Sequence, residues 1–350
     1  MKLIKTEKLG ELAEILSGFA FDAAKFGDVG NIPIVRIRDV LPGRSKTFYS
    51  GGYDQKYVVR KDDMLIGMDG EFNLSKWQSG PALLNQRVCK ISSKSSKLNA
   101  AYLYHFLPDA LQAIEAATTF VTVKHLSVKT IRDIEIPLPL LDEQKRIAAV
   151  LDKADALRRQ RQESLELTEK FLQSVFIDRF GTEKEPRCPR ARLSEHLDFI
   201  TSGGRGWSKY YAEEGDKFIR SLDVRMNEIN DSEIVRVKAP KNAEADRTRV
   251  RVGDVLLTIT GSLIGRAAPV SENHAGAYVS QHVAILRTHG FLPEFLAWAI
   301  SMEEGQRQIQ RHQTGQTKPG LNFEQIGRLM IPRPSEADEQ IFAQLTRKRR

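Results

Sequence analysis

Cysteine is scarce: the 350 residues hold two, Cys89 and Cys188. They lie too far apart to make a metal-ligand pair, and the expectation is two reduced core thiols. The seven histidines add no ligand-spaced cluster. Long apolar runs are missing as well. Stretches such as Val255-Leu-Leu fall far short of a membrane span, and the Met1-Lys-Leu-Ile-Lys-Thr start is too polar and short for a secretory segment. The expectation is a cytoplasmic chain with no membrane role. No G-x-x-x-x-G-K-[ST] loop, H-E-x-x-H pair, G-x-G-x-x-G turn or N-P-P-[YF] motif occurs. Asp62, Asp63, Asp69 and Glu71 could gather round a metal, yet no E-x-K completes a nuclease constellation. The chain is therefore expected to carry no catalytic residue, metal or cofactor of its own.

What the chain has in excess is positive charge: 53 Lys and Arg against 45 Asp and Glu, a net charge of +8 and an isoelectric point near 9.3. Such a balance favours a polyanionic partner, because each cation that neutralises a phosphate releases a counterion. The composition, 41% hydrophobic and 28% charged, is that of a folded protein, and the length suits two domains.

The chain also repeats itself. "IEIPLPLLDEQKRI" from Ile134 returns as "LMIPRPSEADEQIF" from Leu329, about 195 residues later. Ahead of each echo, "RIRDV" (Arg36 to Val40) answers to "RSLDV" (Arg220 to Val224), and "VRKDDMLIGMDG" (Val59 to Gly70) to "VRVGDVLLTITG" (Val250 to Gly261). "LNQRV" (Leu84 to Val88) answers to "VSQHV" (Val279 to Val283), and "KHLSVKTIRDIEIPLP" from Lys124 to "PGLNFEQIGRLMIPRP" from Pro319. A period this long means two whole domains of one kind, and the drifting offsets mean variable loops, with a longer one in the second copy before Val250. Apolar runs such as "DMLIGM" and "DVLLTI" read as strands. Ala100 to Ala117 and Pro293 to Gln310 read as helices, the second with Pro in its first turn. Each domain is expected to be α+β.

From Asp142 to Phe180 there is no Gly or Pro. Ile147, Val150, Leu157, Leu165, Phe171, Leu172 and Val175 recur there at spacings of three, four and seven, as a packed seam requires. Asp142 suits the N-cap, Glu143 the first turn and Gly181 the stop. The expected helix is roughly 58 Å long. Its seam predicts a partner helix alongside.

"IPLPLLDEQKRIAAVLDKADAL" and "GEFNLSKWQSGPALLNQRV" carry a resemblance that spans essentially the whole chain: it resembles the specificity subunits of type I restriction-modification systems. The resemblance implies an α+β fold of two similar target-recognition domains in tandem, separated by a long α-helix that packs in an antiparallel helical pair. The expected boundaries are residues 1–141, 142–181, 182–337 and 338–350, the last being a shortened second spacer helix. It implies a non-catalytic subunit that binds double-stranded DNA and recruits methyltransferase subunits and, through the complex, an endonuclease/translocase subunit. S-adenosylmethionine and ATP are expected on those partners only. A scaffold whose globules bind protein rather than DNA is the alternative.

Direct base readout needs bidentate donors and acceptors: Arg or Lys for guanine, Asn or Gln for adenine. In the first domain the candidates are Asn73, Ser75, Lys76, Asn85, Gln86, Arg87, Thr119 and Lys124. In the second they are Arg205, Lys209, Thr260, Ser262, Arg266, Ser280, Gln281, His282, Thr317 and Lys318. The glycines near Ser17 and Ser202 are expected to let backbone approach phosphate. Trp77 and Trp207 are expected to pack rather than stack on bases. Ile147, Val150, Leu157, Leu165, Phe171, Leu172 and Val175 are the candidate partner-binding residues of the helix.

Overall fold

Ile91 lies opposite Ile15 on one neighbouring strand and Met64 on the other, at the centre of a four-stranded antiparallel sheet. Its strand order is Ala13–Ser17, Val88–Ser93, Met64–Gly67, Leu74–Lys76. The computed structural model describes residues 5–117, 124–313 and 319–347, and the chain divides into two units, Met1–Gln160 and Arg161–Arg350. In the first unit the helix Ala100–Ala117 sets Leu103, Leu107 and Leu111, one per turn, into a core with Ile15, Ile66 and Ile91. A second sheet runs Phe26–Gly27, Phe48–Tyr49, Ile32–Val35, Ala82–Leu84, Val58–Val59, with its third and fourth strands parallel. Thr6–Lys8 pairs with Glu135–Pro137 and brings the ends of the unit together.

The second unit repeats this plan with one strand fewer in its second sheet. Leu286 lies opposite Ile200 and Val255 in a sheet ordered Leu197–Ser202, Val283–Thr288, Val255–Thr258, Ala267–Pro269. A second sheet runs Tyr211–Ala212, Val235–Val237, Asp216–Ile219, Tyr278–Val279, again with its third and fourth strands parallel, and Arg190–Arg192 pairs with Met330–Pro332. The longer loop of this copy carries the hairpin Val224–Arg225/Glu228–Ile229 and the helix Ala243–Arg247. The echoed Arg-x-x-Asp motifs are turn locks: Asp39, Asp63, Asp223 and Asp254 each accept a hydrogen bond from the backbone N–H of the Arg three residues earlier, at 2.8 to 3.0 Å. Cys89 is buried, which pushes its thiol up to about 12.

One helix departs from the sequence pattern. The segment expected to be continuous from Pro293 to Gln310 is two helices, Pro293–Ser301 and Glu303–His312, broken at an extended Met302. The break is held by packing, since a Cβ on Gly305 would collide with the carbonyls of Ala299 and Ile300. Gln306 Nε2 then donates to the freed Ile300 carbonyl at 2.8 Å and to Gly265 O at 2.9 Å.

The central helix spans Leu141–Phe180, 40 residues, and Gly181, at φ +71°, ends it. Asp142 stands in its first turn rather than at the N-cap. The helix does not present one continuous seam. Gln144 and Ala148 face the first unit, where His105 also bonds Asp152 at 2.8 Å. Leu172, Phe176 and Phe180, spaced by four, enter the core of the second. Leu172 is thus 2% exposed and committed to its own unit, whereas Val150, Leu157 and Phe171 are 59%, 58% and 60% exposed. Ile147, Leu165 and Val175 are half-buried. Within the second unit the C-terminal helix Glu336–Arg347 runs antiparallel to this segment: Asp338 bonds Arg179 at 2.9 Å, and the Phe342 ring meets Phe176 at 5.3 Å.

The Asp-Glu-Gln echo is displaced by one residue in space. Gln144, fully buried, accepts from Asn99 N–H at 2.9 Å with Oε1 and donates with Nε2 to Lys97 O and Pro139 O at 2.8 and 2.9 Å. In the second unit the accepting role falls to Glu339, whose Oε1 takes the N–H of Leu292, the residue before the corresponding helix. A carboxylate thus occupies a buried amide's place, and burial raises its pKa against the opposing pull of the Leu292 N–H. For an acid with a raised folded pKa, the unfolded chain ionises first. Stability is therefore greatest below the unfolded carboxyl's range and falls as pH rises through the folded pKa. Glu339→Gln is expected to raise the melting temperature of the second unit at pH 8 and to leave it nearly unchanged at pH 4. Equal shifts at both pH values would contradict this account.

Candidate nucleic-acid interface

Met68 joins three loops of the first unit. Its N–H donates to Arg87 O at 2.8 Å and its carbonyl accepts Leu126 N–H at 2.7 Å, while Gly70 N–H reaches Lys124 O at 3.0 Å. Ile259 does the same in the second unit, donating to His282 O and accepting from Leu321 N–H, each at 2.9 Å. Asp69 bridges His125 in one copy and Thr260 bridges Gly320 in the other. Sequences with different side chains therefore build the same three-loop junction, because the hydrogen bonds the two copies share are main-chain.

The side chains at each junction differ. In the first unit His125 Nδ1 and Arg87 Nη1 converge on Asp69 Oδ1 at 2.6 and 3.3 Å. The imidazole N–H and the guanidinium are both donors, so they share the carboxylate rather than bond each other. In the second unit Thr260 Oγ1 is hydrogen-bonded to His282 Nδ1, and Gln281 Nε2 meets His282 Nε2 at 3.1 Å.

Matching turns carry the two glutamines, Gln86 exposed and Gln281 half-buried. The turn from Asn85 to Val88 closes at 3.3 Å and that from Ser280 to Val283 at 3.0 Å. Gln86, Arg87 and His282 are exposed. Arg87 sits at φ +69°, a conformation that costs a side-chain-bearing residue of order 1–2 kcal/mol. Three polar atoms of these turns, Asn85 Oδ1, Ser280 Oγ and Gln281 Oε1, are buried without a hydrogen-bond partner among the described residues. Buried polar atoms without a partner are uncommon in folded proteins.

Several candidates lie elsewhere or are otherwise engaged. "GEFNLSKWQSG" is a hairpin rather than a free loop: Ser75 and Lys76 belong to the strand Leu74–Lys76, and Lys76 Nζ stands 4.5 Å over the Tyr104 ring. Asn73 is half-buried beside Glu71. Lys124 Nζ meets Glu115 at 3.4 Å. Ser262 is exposed and Arg266 half-buried on the loop after Val255–Thr258. Arg205 and Lys209 are exposed around the short helix Trp207–Tyr210. Thr119, Thr317 and Lys318 lie outside the described residues. Trp77 and Trp207 are buried, with their indole N–H groups bonded to Gly80 O at 2.8 Å and Glu244 Oε1 at 3.0 Å. The expected approach of glycine backbone to phosphate is corrected for Gly18 and Gly203. Each instead packs on the chain's own main chain, where a Cβ would strike Asn85 O or Val279 O.

Among the described residues no group of three or more His, Cys, Asp or Glu is placed to hold a metal, and no helix is long and apolar enough to cross a membrane. The fold defines a class: two like α+β units in tandem, joined through one long helix, each with a polar three-loop junction. The family model for the type I restriction modification DNA specificity domain matches residues 1–167. The EcoBI type I restriction enzyme specificity subunit of Escherichia coli is 31% identical, over 96% of this chain and 78% of its own length. The MjaVIII specificity subunit of Methanocaldococcus jannaschii is 21% identical, over 98% and 89%. The crystal structure of a type I system S subunit from M. genitalium shares the fold, with a TM-score of 0.61 at 14% identity over 99% of this chain and 88% of that one. The chain belongs to the specificity subunits of type I restriction enzymes. It is accordingly a non-catalytic component, of a kind generally free of cofactors.

Proposed function

We propose that the two units are target-recognition domains, residues 1–141 and 182–337, which read the two halves of a bipartite double-stranded DNA target. Residues 142–181 form the spacer between them, and residues 338–350 open the second spacer helix. The observation that carries this reading is the repeated junction, which exposes Gln86 and Arg87 in one copy and His282 beside the half-buried Gln281 in the other, with unpartnered buried polar atoms beside both. Gln suits adenine and Arg suits guanine in the major groove. The excess of positive charge supplies the phosphate affinity that this needs.

Two reading heads make physical sense. One mismatch costs only about 1 to 3 kcal/mol, so a single short half-site discriminates poorly among genomic competitors. Two heads on one stiff spacer multiply their discrimination. Methyltransferase subunits dock along the exposed stretch of the central helix that includes Val150, Leu157 and Phe171, and the endonuclease/translocase subunit joins through the complex. S-adenosylmethionine and ATP are held by those partners, in the cytoplasm. The reading is tested by co-expressing the chain with its methyltransferase subunit and mapping the modified adenines.

A further inference from the structure

Phe19 is the outermost ring of an aromatic cluster in the first unit. It lies 5.1 Å from Phe21 and 5.2 Å from Tyr57, centroid to centroid, and Phe21 and Tyr49 behind it are buried. Phe19 itself is 48% exposed. Its backbone is fixed on both edges: Phe19 N–H donates to Leu84 O at 3.0 Å, and Phe19 O accepts Gln86 N–H at 2.8 Å. The preceding Gly18 can approach so closely only because it lacks a Cβ. An apolar ring is thus held rigidly, in partial contact with water, beside the Gln86–Arg87 turn.

We infer that Phe19 is a sequence-reading residue of the first unit, making apolar contact with the C5-methyl group of a thymine next to the base that Gln86 meets. The inference rests on the reading of this unit as a DNA-recognition domain. Apolar side chains distinguish thymine by its methyl group in the major groove. Phe21 and Tyr57 pack against the ring and brace it, so that it offers a fixed apolar surface to a neighbouring group. The matching position in the second unit holds no ring: Gly203 repeats the tight packing of Gly18, and the residue after it, Gly204, is turned toward the Glu244 carboxylate. The contact is therefore a property of one half-site only.

The experiment uses the complex of the full chain with its methyltransferase subunit and duplexes of its mapped target, with each thymine of the first half-site replaced in turn by deoxyuridine. Loss of one buried methyl is expected to weaken wild-type binding about 4-fold at one position. Phe19→Ala is expected to bring that ratio to about 1 at the same position, and Phe19→Leu to retain most of it. A half-site in which no thymine methyl matters, or a ratio unmoved by Phe19→Ala, overturns the inference. If Gln86→Ala still alters the target in that case, the recognition reading stands without Phe19. If Gln86→Ala alters nothing either, the recognition reading fails with it.

Discussion

Phe176→Ala is expected to destabilise the second unit by about 3–5 kcal/mol, the usual cost of deleting a buried phenylalanine. The ring is 3% exposed and meets Phe180, Phe295 and Phe342 at centroid distances of 5.0, 5.6 and 5.3 Å. Two of these contacts are edge-to-face and one is stacked, geometries that add about 0.5–1.5 kcal/mol each beyond burial. The cluster gathers one ring pair from the central helix, one ring from Pro293–Ser301 and one from the C-terminal helix. It is therefore the joint that makes the last turns of the central helix part of the second unit. Against a typical domain stability of about 5–15 kcal/mol, its loss is severe. Urea unfolding of the full chain should show the transition of the second unit moved to lower denaturant and that of the first unit unmoved. A shift worth less than about 1 kcal/mol would mean that the helix end is not part of this core.

The second large effect is functional. The double substitution Gln86→Ala, Arg87→Ala is expected to relax the target in one half only, with about a 10- to 100-fold loss of discrimination at the bases concerned, since each good bidentate contact contributes about 1–3 kcal/mol. The other half, read by the junction around Gln281 and His282, should be unchanged. If Arg87 meets a phosphate rather than a base, the two halves keep their sequence and the salt slope of binding drops by about one instead. Both side chains are exposed, and the turn that carries them is closed by main-chain hydrogen bonds, so the fold should survive. Changes in both halves at once would contradict the assignment of one junction to one half-site.

Periodicity and repetition made the architecture legible. Apolar alternation located the strands, the absence of Gly and Pro located the long helix, and the echoed segments revealed a second copy of the first unit. What the sequence concealed were features decided by packing. The break at Met302 depends on Gly305 lying against the carbonyls of the preceding turn, which no helical pattern reports. The one-residue displacement that puts Glu339 in the place of Gln144 is hidden by the identical Asp-Glu-Gln triplets, because pairing the triplets by eye overrides the register set by Ile136 and Ile331 in their strands. The seam of the central helix was legible as apolar residues but not as two separate stretches: Gln144 and Ala148 are buried in the first unit and Leu172, Phe176 and Phe180 in the second, with Val150 and Leu157 exposed between them.

The candidate site was half legible. Gln86, Arg87, Gln281 and His282 emerged from aligning the copies, and the turns expose at least one of each pair. Asp69 and His125 did not emerge as a pair, since their proximity is created by the bridge across 56 residues. Ser75 and Lys76 looked like loop residues because their polarity outweighs a three-residue strand at the edge of the sheet. Phe19 carries no signal in the sequence because an aromatic in an apolar stretch is ordinarily buried, and only its exposure in the fold sets it apart.

The central claim is that two like units read two separate half-sites, and mapping modified adenines in cells that carry this chain with its methyltransferase subunit tests it most directly. The account predicts a two-part motif with a gap of constant length, whose halves respond separately to substitutions at residues 86–87 and 281–282. A continuous motif, or a motif with a gap of varying length, would contradict it.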